Sequence, residues 1–175
     1  KNTAPNSLNL NYNPNIQYNI FTSKDQVNEG TFKANIPITF NINKEFSAKV
    51  EANADLTKYS TKSGSPNVSF TNNILQVSPS IVYKGELVNF NAGVTPVSNN
   101  GDFSLLPNIY VEAQIAENTF MLQAGWIGHY QKNNYKNLSD VNPWLKPMAF
   151  QTNTKETEYY AGLKGTLGSH FSVSA

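Results

Sequence analysis

Apolar and polar residues alternate with a period of two along most of the chain, and this pattern predicts β-strands. From Phe32 to Asn43 every even position is apolar, whereas the odd positions carry lysine, asparagine, threonine or proline. Residues 48–57 repeat the pattern with alanine, valine and leucine on one side. A helix would mix the two sets, whereas a strand places each set on its own face. Similar alternation recurs in seven further segments: 16–20, 75–83, 88–94, 109–115, 120–126, 159–163 and 171–175. The sequence therefore predicts about nine strands and no helix.

The predicted strands are long, and the connections between them alternate in length. Soluble proteins have strands of ~5–6 residues, whereas a tilted membrane strand needs ~9–11. Long runs such as 31–43 and 107–117 match the second class. In an up-and-down antiparallel sheet, alternate connections lie at opposite ends, so long loops gather at one rim. The connections predicted to be long are 23–30, 59–73, 98–106 and 131–156; those predicted to be tight are 43–47, 84–86, 117–118 and 168–170. This arrangement is typical of an all-β, antiparallel, up-and-down transmembrane β-barrel.

Aromatic residues occur near both predicted ends of the strands. On an apolar outer face, two such rows would form the interfacial girdles of a membrane barrel. The alternative is the ordinary preference of aromatic residues for strands. Three prolines inside the strand patterns, Pro37, Pro79 and Pro96, predict bulges or local breaks, because proline cannot donate to the ladder. The residues of the two rows are Phe46, Tyr83, Phe120 and Phe171 beside tight turns, and Phe32, Tyr59, Tyr130 and Tyr159 toward the long loops.

Composition and spacing argue against several classes of function. The net charge is +1 and arginine is absent, so a nucleic-acid partner is poorly supported. The two histidines, His129 and His170, are far apart and lack metal-ligand spacing, and there is no cysteine. The carboxylates Glu51, Asp55 and Glu112 are interpreted as polar-face charges that balance Lys33 and Lys49, in preference to an acid–base pair. We therefore predict no catalytic, cofactor-binding or metal-binding residues, and no enzyme activity.

Residues 131–156 form the one predicted connection with a distinctive composition. A connection this long is usually functional or disordered, and its aromatic residues and prolines argue against disorder. Two interpretations stay open: a lid or partner-contacting loop on the extracellular side, or a loop that only packs onto its own rim. We expect the loop to be ordered by burial of Trp144 and neighbouring apolar side chains. The candidate residues of a lid or partner loop are Tyr135, Leu138, Asn142, Pro143 and Trp144.

Three stretches resemble a recurrent region of large outer-membrane proteins of Bacteroidota. They are Leu106-Pro107-Asn108-Ile109-Tyr110, the strand Phe120–Tyr130, and the spaced motif Tyr135-x-x-Leu138-x-x-x-Asn142-Pro143-Trp144. Such proteins are often described as similar to the barrel domain of TonB-dependent receptors. The resemblance covers roughly residues 75–175 and implies a β-barrel in the bacterial outer membrane. No plug-domain motif is visible, so energised import does not carry over.

Taken as a whole, residues 1–175 read as a single β-barrel segment. About nine strands, with a pattern still running at Ala175, do not close a bacterial barrel, so we expect part of a larger one. The predicted function is solute passage, in the manner of a TonB-dependent receptor, or a scaffold for an envelope complex. Expected partners are outer-membrane lipid and other outer-membrane or periplasmic proteins, without a cofactor. The alternative is a soluble envelope or secreted β-sheet protein that acts as a binding module.

Overall fold

A computed structural model describes residues 9–24, 26–62, 67–115, 120–167 and 171–174. These residues form one antiparallel sheet and one short helix, so the predicted all-β, up-and-down class is confirmed. The helix, absent from the sequence prediction, lies in the long connection. Within the described ranges, no helix is long and apolar enough to cross a membrane. The elements are β1 Leu10–Tyr12, β2 Asn15–Thr22, β3 Val27–Asn41, β4 Phe46–Thr61, β5 Val68–Lys84, β6 Val88–Asn99, β7 Asp102–Ile115, β8 Phe120–Gln131, α1 Tyr135–Val141, β9 Thr154–Leu167 and β10 Phe171–Ser174.

The strands follow one another across the sheet in chain order, and the sheet is not closed into a barrel. Strands β1 and β2 both pair with β3 in the same register, with Tyr12 opposite Ile38 and Asn15 opposite Asn35. They therefore act as one edge strand that is interrupted at residues 13 and 14. The opposite edge is formed by β10, which pairs with the last four residues of β9.

The strand register confirms the predicted separation of apolar and polar faces. Residues directly opposite each other in antiparallel strands share a face. Phe32 faces Leu56 and Ile38 faces Val50, whereas Lys33 lies opposite Asp55. We call the first set the apolar face and the second set the polar face. The predicted members of the apolar face are Phe32, Ile36, Ile38, Phe40, Val50, Ala52 and Leu56, and those of the polar face are Lys33, Asn35, Asn41, Glu51 and Asp55.

The strands are longer, and several connections shorter, than the sequence pattern predicted. The predicted long connection at 98–106 is wrong, since β6 ends at Asn99 and β7 begins at Asp102. Asn100 and Gly101 form the turn with φ angles of 53° and 96°. A two-residue hairpin of type I′ needs positive φ at both positions, and Asn-Gly is its preferred sequence. The predicted connection at 59–73 shrinks to residues 62–67, while the tight turns predicted at 117–118 and 168–170 lie outside the described residues.

The three prolines coincide with breaks in hydrogen-bonded pairing rather than with shifts of register. Between β5 and β6 the ladder stops at the segments that contain Pro79 and Pro96, and resumes in the same register on either side. Pro37 pairs with Glu51 of β4, but on its other side it lies opposite the interruption between β1 and β2. Each proline thus removes a local ladder bond while the faces of its strand keep their identity.

The aromatic rows are present in part. At the end of the sheet near the β3–β4 turn, the rings of Phe46 and Tyr83 are 4.8 Å apart, and Phe90 lies 5.5 Å from Tyr83, all on the apolar face. Trp126 stacks on Tyr159 on the same face, but this pair lies near the middle of β8 rather than at the opposite end of the strands. Tyr59, however, lies on the polar face and is buried, so its assignment to a girdle is wrong.

Candidate functional site

The connection between β8 and β9, residues 132–153, folds over the polar face and is called here the capping loop. It crosses to the opposite part of the sheet, where its helix α1 begins beside Glu29 of β3. The side chain of Asn134 caps this helix by accepting a hydrogen bond from the backbone N–H of Asn137, at 3.2 Å. The loop was predicted to lie at the same rim as the β4–β5 and β6–β7 connections. Its hydrogen bonds to Asn72, near the start of β5, and to Asn99, at the end of β6, confirm this position.

Glu29 supplies a second cap from a distant part of the chain. Its carboxylate accepts hydrogen bonds from the backbone N–H groups of Tyr135, at 2.7 Å, and Lys136, at 3.4 Å. The amide of Asn134 donates a further bond of 2.9 Å to it. The first N–H groups of a helix lack partners within the helix, and a carboxylate there is favoured by the helix dipole. Buried Glu29 therefore holds the start of α1 against the sheet.

Tyr135 anchors the capping loop through its ring. It is 2 % exposed and packs with Val27 and Tyr59, which are fully buried. Its hydroxyl donates a 2.9 Å hydrogen bond to the carbonyl of Leu145, and the hydroxyl of Tyr59 accepts one from the backbone N–H of Met148, at 3.0 Å. The two tyrosines thus tie both halves of the loop to the sheet.

Asparagine side chains attach the two ends of the capping loop to the sheet. Asn153 donates 2.6 Å hydrogen bonds to the amide oxygens of Asn72 and Asn99. Asn72 in turn donates to the carbonyl of Asn133, at 2.9 Å, and accepts from Asn100, at 3.1 Å. Since an amide both donates and accepts without charge, asparagine can satisfy buried neighbours in this way. The network gives a structural role to several of the chain's asparagines.

Charged side chains continue the polar face below the loop. Asp55 lies between two lysines, with Lys132 Nζ at 3.2 Å and Lys33 Nζ at 3.3 Å. Lys132 also donates to the backbone carbonyls of Asp55 and Asn72. Burial of the ammonium group lowers the pKa of Lys132, and the neighbouring Asp55 carboxylate partly offsets this effect.

Two of the three carboxylates singled out from the sequence form ion pairs with lysines. Glu51 forms a 3.0 Å ion pair with Lys49 and accepts a 2.8 Å hydrogen bond from Asn35. Glu112 lies on β7, opposite Asn89 and Gln123, and belongs to a different part of the sheet. The ion pairs agree with the interpretation that Glu51 and Asp55 balance Lys49 and Lys33, whereas Glu112 lies away from both lysines.

A cleft of about 430 Å³ opens beside the lysine–aspartate group. Its walls combine neutral amides, ionic groups and one phenol, so a polar solute would find both donors and acceptors there. The side chains that line it include Gln17, Lys33, Asn35, Asn53, Asp55, Gln76, Tyr130 and Lys132.

The five predicted loop residues divide into anchors and exposed positions. Tyr135 is buried and Leu138 half-buried, whereas Asn142, Pro143 and Trp144 are exposed. The expectation that Trp144 is buried is wrong, since its side chain is 90 % exposed. The Asn142 side chain accepts from the backbone N–H of Trp144, at 3.1 Å, within a turn, while Tyr135 and other loop residues fill the space against the sheet. Two other apolar residues of the loop, Val141 and Phe150, are also exposed.

The sheet residues that hold the loop were not predicted from sequence to do so. Glu29 and Asn72 lie on strands far from the loop, and period-two alternation marks them only as polar-face residues. Comparison with protein-family models, curated proteins and solved structures returns no match to this chain. The resemblance to Bacteroidota outer-membrane proteins therefore stays a prediction.

Replacing Glu29 with alanine should loosen the capping loop. The N–H groups of Tyr135 and Lys136 and the amide of Asn134 would lose their acceptor, at a cost of about 2 kcal/mol for bonds to a charged group. Amide hydrogen exchange at Tyr135 and Lys136 is the measurement, and it should accelerate. Glu45→Ala in the exposed β3–β4 turn is the control and should leave these rates unchanged. Equal exchange in the wild-type chain and Glu29→Ala would contradict the capping role.

Proposed function

We propose that this chain forms part of the wall of an integral outer-membrane β-barrel that passes a polar solute. The observation that carries the proposal is the apolar face, which stays exposed across the sheet. Ile36, Ile38 and Phe40 on β3 are 40 %, 36 % and 44 % exposed. Exposed apolar residues of the same face continue on the other strands: Ile16, Tyr18, Ile20, Val50, Leu75, Val77, Ile81, Val88, Val94, Phe103, Leu105, Ile109, Ile115, Leu122, Trp126, Tyr159 and Leu163.

An apolar surface of this extent is unfavourable in water, so we expect another apolar phase or partner to cover it. Monomeric soluble proteins rarely expose contiguous apolar patches beyond a few hundred Å². The capping loop lies on the polar face, so it leaves the apolar face uncovered. Hydrocarbon chains of a bilayer would cover that face, while the strand lengths of β3 to β5, at 15 to 17 residues, suit tilted crossing strands.

The polar face supports passage of a polar solute rather than an apolar one. It presents amides of Asn35, Asn53 and Gln76 beside the Asp55 group and its lysines. In membrane barrels the lumen side is polar and the lipid side apolar, as in this division of faces. The capping loop, held over one end of the polar face, would then restrict entry at that rim.

Fractionation of the native protein tests the membrane assignment. We expect the chain in the membrane fraction, resistant to high salt and alkaline washing, and soluble only with detergent. Salt and alkali release proteins held by charge but not those held by an apolar belt. A chain that stays monodisperse in detergent-free buffer would contradict the proposal and favour the soluble β-sheet binding module.

A second candidate function is a scaffold for another envelope protein, favoured by the exposed apolar residues of the capping loop. Val141, Trp144 and Phe150 are 86 %, 90 % and 72 % exposed on a loop that is otherwise fixed to the sheet. Aromatic residues, and tryptophan above all, dominate the energetics of protein interfaces.

Trp144→Ala separates the scaffold role from a purely structural one. We expect the substitution to leave melting unchanged and to weaken co-purification of envelope proteins from native membranes, since truncation of a central interface tryptophan costs about 2 kcal/mol or more. Lys146→Ala, an exposed neighbour in the loop, is the control. Unchanged co-purification with Trp144→Ala would count against the scaffold role.

A further inference from the structure

Strand pairing brings together three side chains that could hold a metal ion. His129 of β8 lies directly opposite Glu156 of β9, and Glu158 lies two residues further along β9, opposite Ile127. His129 Nε2 is 3.2 Å from Glu156 Oε2. One ligand atom from each of the three side chains lies within 4.8 Å of the other two.

This spacing suits a shared ion after small side-chain rotations. Two ligands of one tetrahedral Zn²⁺ at ~2.0–2.2 Å from the metal are about 3.4 Å apart, so the three ligand atoms must move closer together by about 1 Å. His129 and Glu158 are exposed and Glu156 half-buried, so their side chains have room to turn inward. The continuous β8–β9 ladder from Phe120 to Gln131 holds the two backbones in register, so only the side chains need to adjust.

The charges of the group also favour a cation. Glu156 and Glu158 place two carboxylates side by side, and no lysine in the part of the chain that the structure describes forms an ion pair with either of them. The group therefore consists of one imidazole and two carboxylates. An imidazole nitrogen with carboxylate oxygens selects zinc and related transition metals, whereas Ca²⁺ and Mg²⁺ prefer oxygen ligands throughout.

We propose that His129, Glu156 and Glu158 bind a divalent transition-metal ion, with Zn²⁺ as its probe. The ion would replace the direct contact between His129 and Glu156 and bridge β8 to β9. His129 lies just before the capping loop and Glu156 just after it, so the ion joins the two strands from which the loop emerges. Binding would then restrict motion of the loop base, next to the attachment of Asn133 and Asn153 to the sheet.

Calorimetric titration of the full chain with Zn²⁺ tests the site. We expect saturable binding of one ion, and at least about tenfold weaker binding in His129→Ala and in Glu158→Gln, since loss of even an outer-shell partner costs roughly tenfold. Glu45→Gln, which removes an exposed carboxylate in the β3–β4 turn, should bind as the wild type does. Circular dichroism establishes that the variants fold, which their exposed positions favour.

Amide hydrogen exchange supplies a second measurement, because non-specific binding of Zn²⁺ would leave the exchange rates at the base of the capping loop unchanged. Addition of Zn²⁺ should slow exchange of amides at the base of the capping loop in the wild-type chain and leave His129→Ala unchanged. Absence of saturable Zn²⁺ binding, or equal affinity in the wild type and both variants, would overturn the proposal. Tighter binding of Ca²⁺ than of Zn²⁺, insensitive to His129→Ala, would also overturn it, because the imidazole would then not be a ligand.

Discussion

Replacing Ile38 with arginine is expected to lower the free energy of unfolding from a lipid bilayer by about 2–4 kcal/mol, the cost of a cation on the lipid face at mid-depth. Ile38 lies within β3 on the apolar face, opposite Val50 and between Ile36 and Phe40. It is partly exposed, so the arginine side chain meets no steric barrier in the sheet. The penalty would therefore come from the medium that the side chain enters, which makes the substitution a direct probe of that medium.

The matched control is Thr39→Arg, one residue further along the same strand. Thr39 belongs to the polar face, opposite Lys49, so its arginine would point away from lipid. We expect a loss of at most about 1 kcal/mol, because the new arginine lies directly opposite Lys49 and like charges at opposed positions repel. Asn53 is a poor control, because its amide contacts both Asn35 and Glu51. Equal losses for Ile38→Arg and Thr39→Arg, measured by equilibrium unfolding in bilayers, would refute a lipid-facing apolar face.

Replacing Tyr135 with alanine is expected to destabilise the capping loop by about 3–5 kcal/mol, as for other buried aromatic residues. The substitution would leave a cavity against Val27 and Tyr59 and would remove the hydrogen bond to Leu145. It would also remove the ring that packs beside the point where Glu29 holds the start of α1. Because the strands do not depend on this contact for their ladders, the loss should appear as local opening of the loop.

Trp144→Ala is the internal comparison for this experiment. Trp144 belongs to the same loop but is exposed, so its truncation should leave loop stability nearly unchanged. Hydrogen exchange and limited proteolysis of residues 132–153 measure both effects. Tyr135→Ala should expose the loop to protease while Trp144→Ala resists it. A similar loss of protection in both variants would mean that the loop is held differently from the arrangement of Tyr135 and Glu29 described above.

Most of the strand framework could be predicted from local pattern, and the errors have identifiable causes. The faces of β3 and β4 were predicted correctly because alternation was unbroken there. The connection at 98–106 was wrong because the apolar residues that flank Asn100 and Gly101 were treated as loop, although an Asn-Gly pair between alternating segments is itself a hairpin signal. The helix α1 was missed because its seven residues are too few for a clear helical period.

The candidate site was predicted less completely than the fold. The sequence singled out the connection at 131–156 and its aromatic residues, but it predicted burial of Trp144 with neighbouring apolar side chains, whereas Tyr135 is buried and Trp144 is exposed. Which aromatic ring is buried depends on the surface that the loop meets. That surface is made by Val27, Glu29 and Tyr59, which come from two strands more than 70 residues away in the chain.

By itself the sequence determined where the strands lie and which residues of each strand belong to the apolar face and which to the polar face. The reason is that successive side chains of a strand must point to opposite sides whatever the rest of the molecule does. Only the tertiary structure decided the role of Glu29 as a helix cap and the meeting of His129 with Glu156 and Glu158. Those contacts join residues on different strands or across the full width of the sheet. Their geometry depends on the register and curvature of the sheet and on the path of the capping loop, which period and spacing along the chain do not specify.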